Sequence, residues 1–150
     1  MAANIEIRFI PYGKMDTILP LAFELNNGKI SLDLLGKRLK AMLAMGGYQC
    51  IGAYDAEELV GICGIWELNK LYVGKHLEPD NVFVKKAYRS SGVGQMMLDF
   101  LLAYAKDINC DGTEVNCYVS NLKGQKFWER QGYQPLAYHY FMNFESTGNE

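Results

Sequence analysis

The 150-residue chain lacks an excess of charge of either sign: 15 Lys+Arg stand against 17 Asp+Glu, a formal net charge of −2. No global positive field therefore marks a nucleic-acid partner. It also lacks any apolar run near the ~18 residues that a membrane span requires. Its first residues, MAANIEIRFIPYG, have neither the basic start nor the long apolar stretch of a secretory signal. A cytoplasmic protein with no nucleic-acid or membrane partner is the expectation. The four cysteines (Cys50, Cys63, Cys110, Cys117) form no C-x-x-C pair, and neither His76 nor His139 stands at metal-ligand spacing from any of them. That spacing predicts no metal and no disulfide, only small thiols, three of them inside apolar strand-like runs. Repeats at solenoid periods are missing, as is any low-complexity linker, so residues 1–150 read as a single domain.

Apolar material is ample. Residues of the AVILMFWYC set make up 49% and charged residues 21%, a balance that excludes a disordered chain. Ile5, Ile7 and Phe9 alternate with Glu6 and Arg8, which predicts a half-buried strand ending at Pro11. Met15 to Leu25 is apolar at mixed helical spacing around Pro20. Ser31 suits the N-cap of a helix from Leu32 to about Met45, closed by Gly46-Gly47. Tyr48–Tyr54 and Leu59–Leu68 flank the polar Asp55-Ala56-Glu57-Glu58, a hairpin signal. A polar loop over Asn69–His76 is expected before the short buried strand Val82-Phe83-Val84. Gly92 to Ile108 carries the strongest helical pattern, through Val93, Met96, Met97, Phe100, Leu101, Tyr104 and Ile108. A strand over Thr113–Val119, a helix over Leu122–Gln131 and an alternating run from Tyr133 to Phe144 complete an α/β order. The βαβ unit at 82–119 predicts a parallel, right-handed crossover.

The segment Val82-Phe83-Val84-Lys-Lys-Ala-Tyr-Arg89-Ser90-Ser91-Gly92-Val93-Gly94-Gln95 is a strand, a turn and a helix start. Two glycines there let backbone N–H groups approach a ligand without Cβ interference. First-turn N–H groups have no intrahelical acceptors and lie at the positive end of the helix dipole, which suits a phosphate. Arg89 adds a guanidinium. No G-x-x-x-x-G-K-[ST] loop exists, and the third glycine and the later acidic residue of a dinucleotide fingerprint are missing. After the next predicted strand comes Asn121-Leu-Lys-Gly-Gln-Lys-Phe127-Trp128-Glu-Arg-Gln-Gly132-Tyr133.

Together the two segments resemble the GCN5-related N-acetyltransferase (GNAT) superfamily, whose pattern is a buried strand, [RQ]-x-x-G-x-[GA], a parallel strand and N-x-x-A-x-x-F-Y-x-x-x-G-F. The likeness covers residues 82 to 133, and the element order extends it over the chain. It implies the GNAT fold, a mixed twisted sheet of six to seven strands flanked by about four helices, with acetyl-CoA between strands splaying near 84 and 117. By the same resemblance Arg89, Ser90, Ser91, Gly92, Val93, Gly94 and Gln95 map onto the pyrophosphate loop. Val82, Phe83 and Val84 map onto the strand that pairs with the pantetheine arm and polarises the thioester carbonyl, and Asn121 onto a cofactor-contacting asparagine. Trp128 stands where many relatives carry a tyrosine that protonates the departing thiolate, and an indole N–H is no acid at neutral pH. Trp128 is thus expected along the cofactor, with a doubtful catalytic role. Gly124 replaces a common alanine, and Ser90 a frequent glycine.

The implied reaction is acetyl transfer from acetyl-CoA to a primary amine of a small molecule or protein. The alternative is a catalytically weak acyl-CoA-binding sensor or scaffold. A homodimer is compatible with either. An amine of pKa near 10.4 is neutral in only about one molecule in two thousand at pH 7, so a base helps. Asp80, Glu78 and Glu67 are the candidates. Glu78-Pro-Asp80-Asn81-Val82 loosely resembles the leucine-glutamate-aspartate segment of polyamine-acetylating relatives, with Asp80 at the glutamate position. Tyr118, Tyr138 and His139 are the other candidate proton donors. Lys85, Lys86, Lys123 and Lys126 are candidates for the cofactor phosphates. The loops at 25–33 and 69–81 are expected to choose the acceptor.

Overall fold

Strands form where the sequence alternates or turns wholly apolar, and helices where apolar residues recur every three to four positions. The computed structural model describes residues 4–144. These follow the order β1 (Ile5–Phe9), a 3-10 helix (Tyr12–Ile18), α1 (Leu19–Leu25), α2 (Leu32–Met45), β2 (Tyr48–Asp55), β3 (Glu58–Lys70) and β4 (Gly74–Val84). A 3-10 turn (Lys86–Tyr88), α3 (Val93–Asp107), β5 (Gly112–Thr113) and α4 (Leu122–Arg130) complete it. The chain divides into two compact units, Met1–Val115 and Asn116–Glu150.

The first unit holds one five-stranded sheet in the order β1-β2-β3-β4-β5. Its first four strands are antiparallel neighbours, and β5 joins β4 in parallel. Strand β2 is buried almost throughout, which explains its nearly unbroken apolar sequence. On one face, Tyr48, Cys50 and Tyr54 of β2, Ile62 of β3 and Phe83 of β4 pack with Met15, Ile18, Leu21 and Leu39 from the helices before β2. On the other, α3 buries Val93, Met97, Leu101 and Ala105, spaced four apart. A Cβ on Gly61 would lie 3.3 Å from both Met97 and Val93, which shows how closely α3 seats on β3. Phe9 meets Phe100 and Tyr104 edge to face, at ring separations of 5.2 and 4.9 Å. Ser31 caps α2 as expected, its Oγ accepting from the Leu34 N–H at 3.1 Å.

Three expectations are corrected. The polar loop over Asn69–His76 shrinks to residues 71–73, because β3 runs to Lys70 and β4 begins at Gly74 in continuous register with it. Pro79 hid this strand. It is tolerated because β5 pairs only with His76 and Leu77, so Pro79 lies on an open edge that needs no N–H. Second, the strand expected over Thr113–Val119 is the two-residue β5, and residues 133–144 form no strand among the described residues. The sheet therefore has five strands rather than six or seven, and cross-strand partners, not alternation alone, decide strand length. Third, the 69–81 segment expected as a loop is mostly strand.

One irregularity controls the rest of β4. Gly64 pairs with Asp80 and Ile62 with Phe83, so Asn81 and Val82 together oppose Cys63 in a β-bulge. Asn81 takes φ 42°, the left-handed region. The extra residue shifts the alternation, so Asp80 before it and Phe83 after it lie on the same face as Tyr48. The Tyr48 hydroxyl donates to Asn81 Oδ1 at 3.2 Å across the space left by Gly64. A Cβ on Gly64 would fall 2.5 Å from that hydroxyl, 2.7 Å from Asn81 Oδ1 and 2.9 Å from the Asp80 carbonyl oxygen. Replacing Gly64→Ala should accordingly cost roughly 1–3 kcal/mol in urea denaturation. Gly13→Ala, where a Cβ meets nothing within 4 Å, should stay within about 0.5 kcal/mol.

Candidate functional site

The pyrophosphate-loop residues of the sequence reading come together at one place in the first unit. Val82, Phe83 and Val84 end β4, and Arg89, Ser90, Ser91 and Gly92 lead into α3, which starts at Val93. Ser90 (φ 63°) and Gly92 (φ 84°) both adopt left-handed backbone, which turns the chain sharply at the helix entrance. Gly92 is the N-cap, and no side chain caps the helix. The first-turn N–H groups of Val93 and Gly94 thus form a positive end with no capping side chain, the local chemistry an anion wants. Arg89 donates from Nε to the Val84 carbonyl at 2.8 Å, and its guanidinium lies over the Phe83 ring at 5.1 Å. Strand and loop are tied by this one side chain. Ser91 donates to the Tyr88 carbonyl, and Tyr88 donates to Asp55 Oδ2 at 2.6 Å. The Asp55 bond pushes the Tyr88 phenol up to about 12, so it stays protonated.

Beyond Leu77, the outer edge of β4 has no strand beside it among the described residues. The Glu114 N–H donates to the Leu77 carbonyl at 3.1 Å, and pairing stops there. Residues 79–84 therefore offer backbone groups to an extended, peptide-like partner. At the bulge, Asn81 Nδ2 is buried with no hydrogen-bond partner among the described residues.

The three candidate carboxylates separate. Asp80 is exposed; its Oδ2 accepts from Trp66 Nε1 at 3.2 Å and its Oδ1 from the Asn81 N–H at 2.9 Å. Glu78 Oε2 is engaged twice, by His76 Nε2 at 2.9 Å and Lys70 Nζ at 3.2 Å. Partial burial works against its ionised form. The His76 and Lys70 contacts outweigh that and hold the carboxyl below the usual range. Glu78 is thereby a poorer base than its position suggested. Glu67 pairs with Leu77, out of phase with Glu78 and Asp80, and so stands on the opposite face. There it ion-pairs with Lys75 at 4.0 Å; it also helps line a cleft of about 420 Å3 with Ile10, Tyr12, Met15, Gly47, Tyr48 and Gln49. No residue of 78–95 lines that cleft. Its walls come from the 3-10 helix, from β2 and β3, and from the residues just outside them, which is why no sequence window outlined it. Lys85 is spent on Glu58 at 3.1 Å.

His76, which spacing from cysteine had dismissed, is fully buried. Burial opposes its charge, but the Gly74 carbonyl, Glu78 and Glu114 raise its pKa above the ordinary value. A His-x-Glu alternation on one strand face was the signal available for it.

The second unit is described by itself. Asn121 caps α4, with Oδ1 accepting from the Gly124 N–H at 2.9 Å. A Cβ on Gly124 would lie 2.4 Å from Asn121 Nδ2, so glycine here leaves room for the cap. Trp128 is half-buried between Phe127 and Tyr133, edge to face at 5.1 and 5.2 Å. Tyr118, Tyr138 and His139 are exposed, as are Lys123 and Lys126.

Sequence comparison matches the acetyltransferase (GNAT) family over residues 18–133, and the chain belongs to that family. No curated protein matches it. Among solved structures, glucosamine-6-phosphate N-acetyltransferase from Arabidopsis thaliana is 17% identical with a TM-score of 0.72, covering 95% of this chain and 99% of its own. A ribosomal-protein-alanine N-acetyltransferase from Brucella melitensis is 19% identical, TM-score 0.79, with coverage of 94% and 99%. Aminoglycoside N-acetyltransferase AAC(6')-Iy in complex with CoA is 14% identical, TM-score 0.80, with coverage of 97% and 98%. The fold is the mixed α/β GNAT fold, here with five strands and four α-helices among the described residues. No helix of the described residues is long and apolar enough to cross a membrane.

All four cysteines are free thiols. Burial pushes the Cys50 thiol up to about 12 and raises Cys63 as well, so neither supplies thiolate near neutrality. Iodoacetamide at pH 8 should leave both unmodified in the folded protein and modify all four in urea, as read by peptide mass spectrometry. Rapid native labelling of Cys50 or Cys63 would contradict their burial.

Proposed function

We propose that residues 1–150 act as one N-acetyltransferase domain that moves the acetyl group of acetyl-CoA to a primary amine of a small molecule or protein. The observation that carries this reading is the open edge of β4 over 79–84, running directly into the side-chain-free cap of α3 at Gly92. Pantetheine is peptide-like and suits such an edge, while the pyrophosphate suits the helix start and Arg89. Val82, Phe83 and Val84 would face the pantetheine arm. Arg89, Ser90, Ser91, Gly92, Val93, Gly94 and Gln95 would surround the pyrophosphate; by the family resemblance Asn121 and Trp128 are the cofactor-contacting positions of α4.

The acceptor nitrogen attacks the thioester carbonyl carbon, the tetrahedral intermediate collapses, and the C–S bond breaks. The proton lost by the amine passes to a carboxylate or water and finally to the CoA thiolate. Asp80 suits the base role better than Glu78, because its carboxylate is exposed and accepts only neutral donors, whereas Glu78 faces two cationic or cationisable groups. Trp128 supplies no acid, and a thiol of pKa about 8.5 leaves tolerably as the anion. The packing of Trp128 between Phe127 and Tyr133 also favours a second reading, a slow enzyme that works mainly as an acyl-CoA binder.

Calorimetry should show CoA binding by the wild type, lost in Gly94→Trp while the melting temperature is largely kept. Absence of binding by the wild type would sink both readings. With an accepted amine, Asp80→Asn should lower kcat at least tenfold at pH 7 and recover towards pH 9.5, where free amine is more abundant. Glu78→Gln should affect the rate less than Asp80→Asn. The reverse order would return the base role to Glu78. Trp128→Tyr separates the two readings: a several-fold gain in kcat without tighter acetyl-CoA binding marks the natural protein as limited by leaving-group protonation.

A further inference from the structure

Four side chains from three parts of the first unit meet beside the β4–β5 junction: Lys70 of β3, His76 and Glu78 of β4, and Glu114 just past β5. His76 Nδ1 lies 2.9 Å from the Gly74 carbonyl oxygen. A carbonyl can only accept, so Nδ1 carries the hydrogen, and Nε2 turns inward, donating when protonated and offering a lone pair once that proton leaves. Nε2 faces Glu78 Oε2 at 2.9 Å and Glu114 Oε2 at 3.3 Å. Three potential ligand atoms thus converge, all within 4.8 Å of one another. The charge of the two carboxylates is met here by Lys70 Nζ and by a proton on Nε2, places that a metal cation can take.

We propose that His76, Glu78 and Glu114 form a binding site for one divalent first-row transition ion of the zinc or cobalt kind. The two separations from Nε2 match. Ligand atoms held about 2.0–2.1 Å from a tetrahedral ion stand about 3.3 Å apart, close to the 2.9 and 3.3 Å seen around Nε2. One imidazole and two carboxylates are donors such ions accept. The Nδ1–H bond to a backbone carbonyl is the arrangement that orients a ligating histidine. The scaffold is stiff: His76 and Glu78 share one strand face, and Glu114 is anchored by its N–H to Leu77. His76 is enclosed while the Glu78 and Glu114 side chains are 17% and 32% exposed, leaving a way in from solvent. Lys70 Nζ, 3.2 and 3.4 Å from the two carboxylates on a half-exposed side chain, stands at the open side as a competing cation. An ion entering would displace it. The site has no cysteine, so cysteine spacing gave no sign of it. It needs no acyl transfer, and its test is independent of CoA binding.

The purified protein is titrated with CoCl2 alone and then with ZnCl2 in competition, followed by visible absorption and calorimetry. Stoichiometric binding at one ion per chain is expected, with d–d bands and no thiolate-to-cobalt charge-transfer band. Glu114→Gln should weaken binding at least tenfold, and Lys70→Met should tighten it several-fold by removing the competitor. Because a variant of the buried His76 can fail to fold, the wild-type His76 ring resonances are followed by NMR and should shift on ZnCl2 addition. No stoichiometric binding by the wild type overturns the proposal, even where Lys70→Met binds, since the lysine then excludes the ion from the natural protein. A thiolate band, or unchanged affinity in Glu114→Gln, overturns it equally. The group satisfying the two carboxylates would then be a proton on Nε2, with Lys70.

Discussion

The bulge at Asn81–Val82 is the constraint on which the working face of the first unit depends. A strand alternates faces strictly, so without the extra residue Asp80 and Phe83 would point to opposite sides. With it, the polar half of β4 presents Glu78 and Asp80 on the face where its apolar half buries Phe83 against Met15, Ile18 and Leu21. The bulge costs a left-handed asparagine and a glycine opposite it. The Tyr48 hydroxyl bond to Asn81 helps offset that cost. Strain of this sort persists where surrounding contacts over-determine it.

Charge then separates the roles of residues only two positions apart. Glu78 and Asp80 share a face and an element, yet one meets Lys70 and His76 and the other meets an indole N–H and a backbone amide. A carboxylate held by cations is favoured in its ionised form and is reluctant to take a proton. The difference comes from what β3 and the segment after β5 bring alongside.

In the second unit the same logic works on a smaller scale. Asn121 and Gly124 act as a pair, the glycine's missing Cβ making room for the asparagine cap. Glycine inside a helix costs up to roughly 1 kcal/mol, and a good N-cap returns about as much. Trp128 uses its surface on aromatic neighbours.

Local chemistry was legible in the residues themselves. The helix from Val93, its glycine start, the Ser31 cap, the β2–β3 hairpin and the turn carrying Arg89 all rest on interactions within a few positions, and a sequence displays those directly. The family was legible too, because its two signature segments are each local and stand at a fixed separation. Tertiary structure alone decided the length of β4, since Pro79 and its polar neighbours look like loop until β3 supplies partners for them. It also decided the brevity of β5, the sorting of Glu67, Glu78 and Asp80 among three environments, and the meeting of His76 with Glu114 across 38 positions. Register and ion pairing are set by segments distant in the chain, and no periodicity within one segment encodes the partner it will meet.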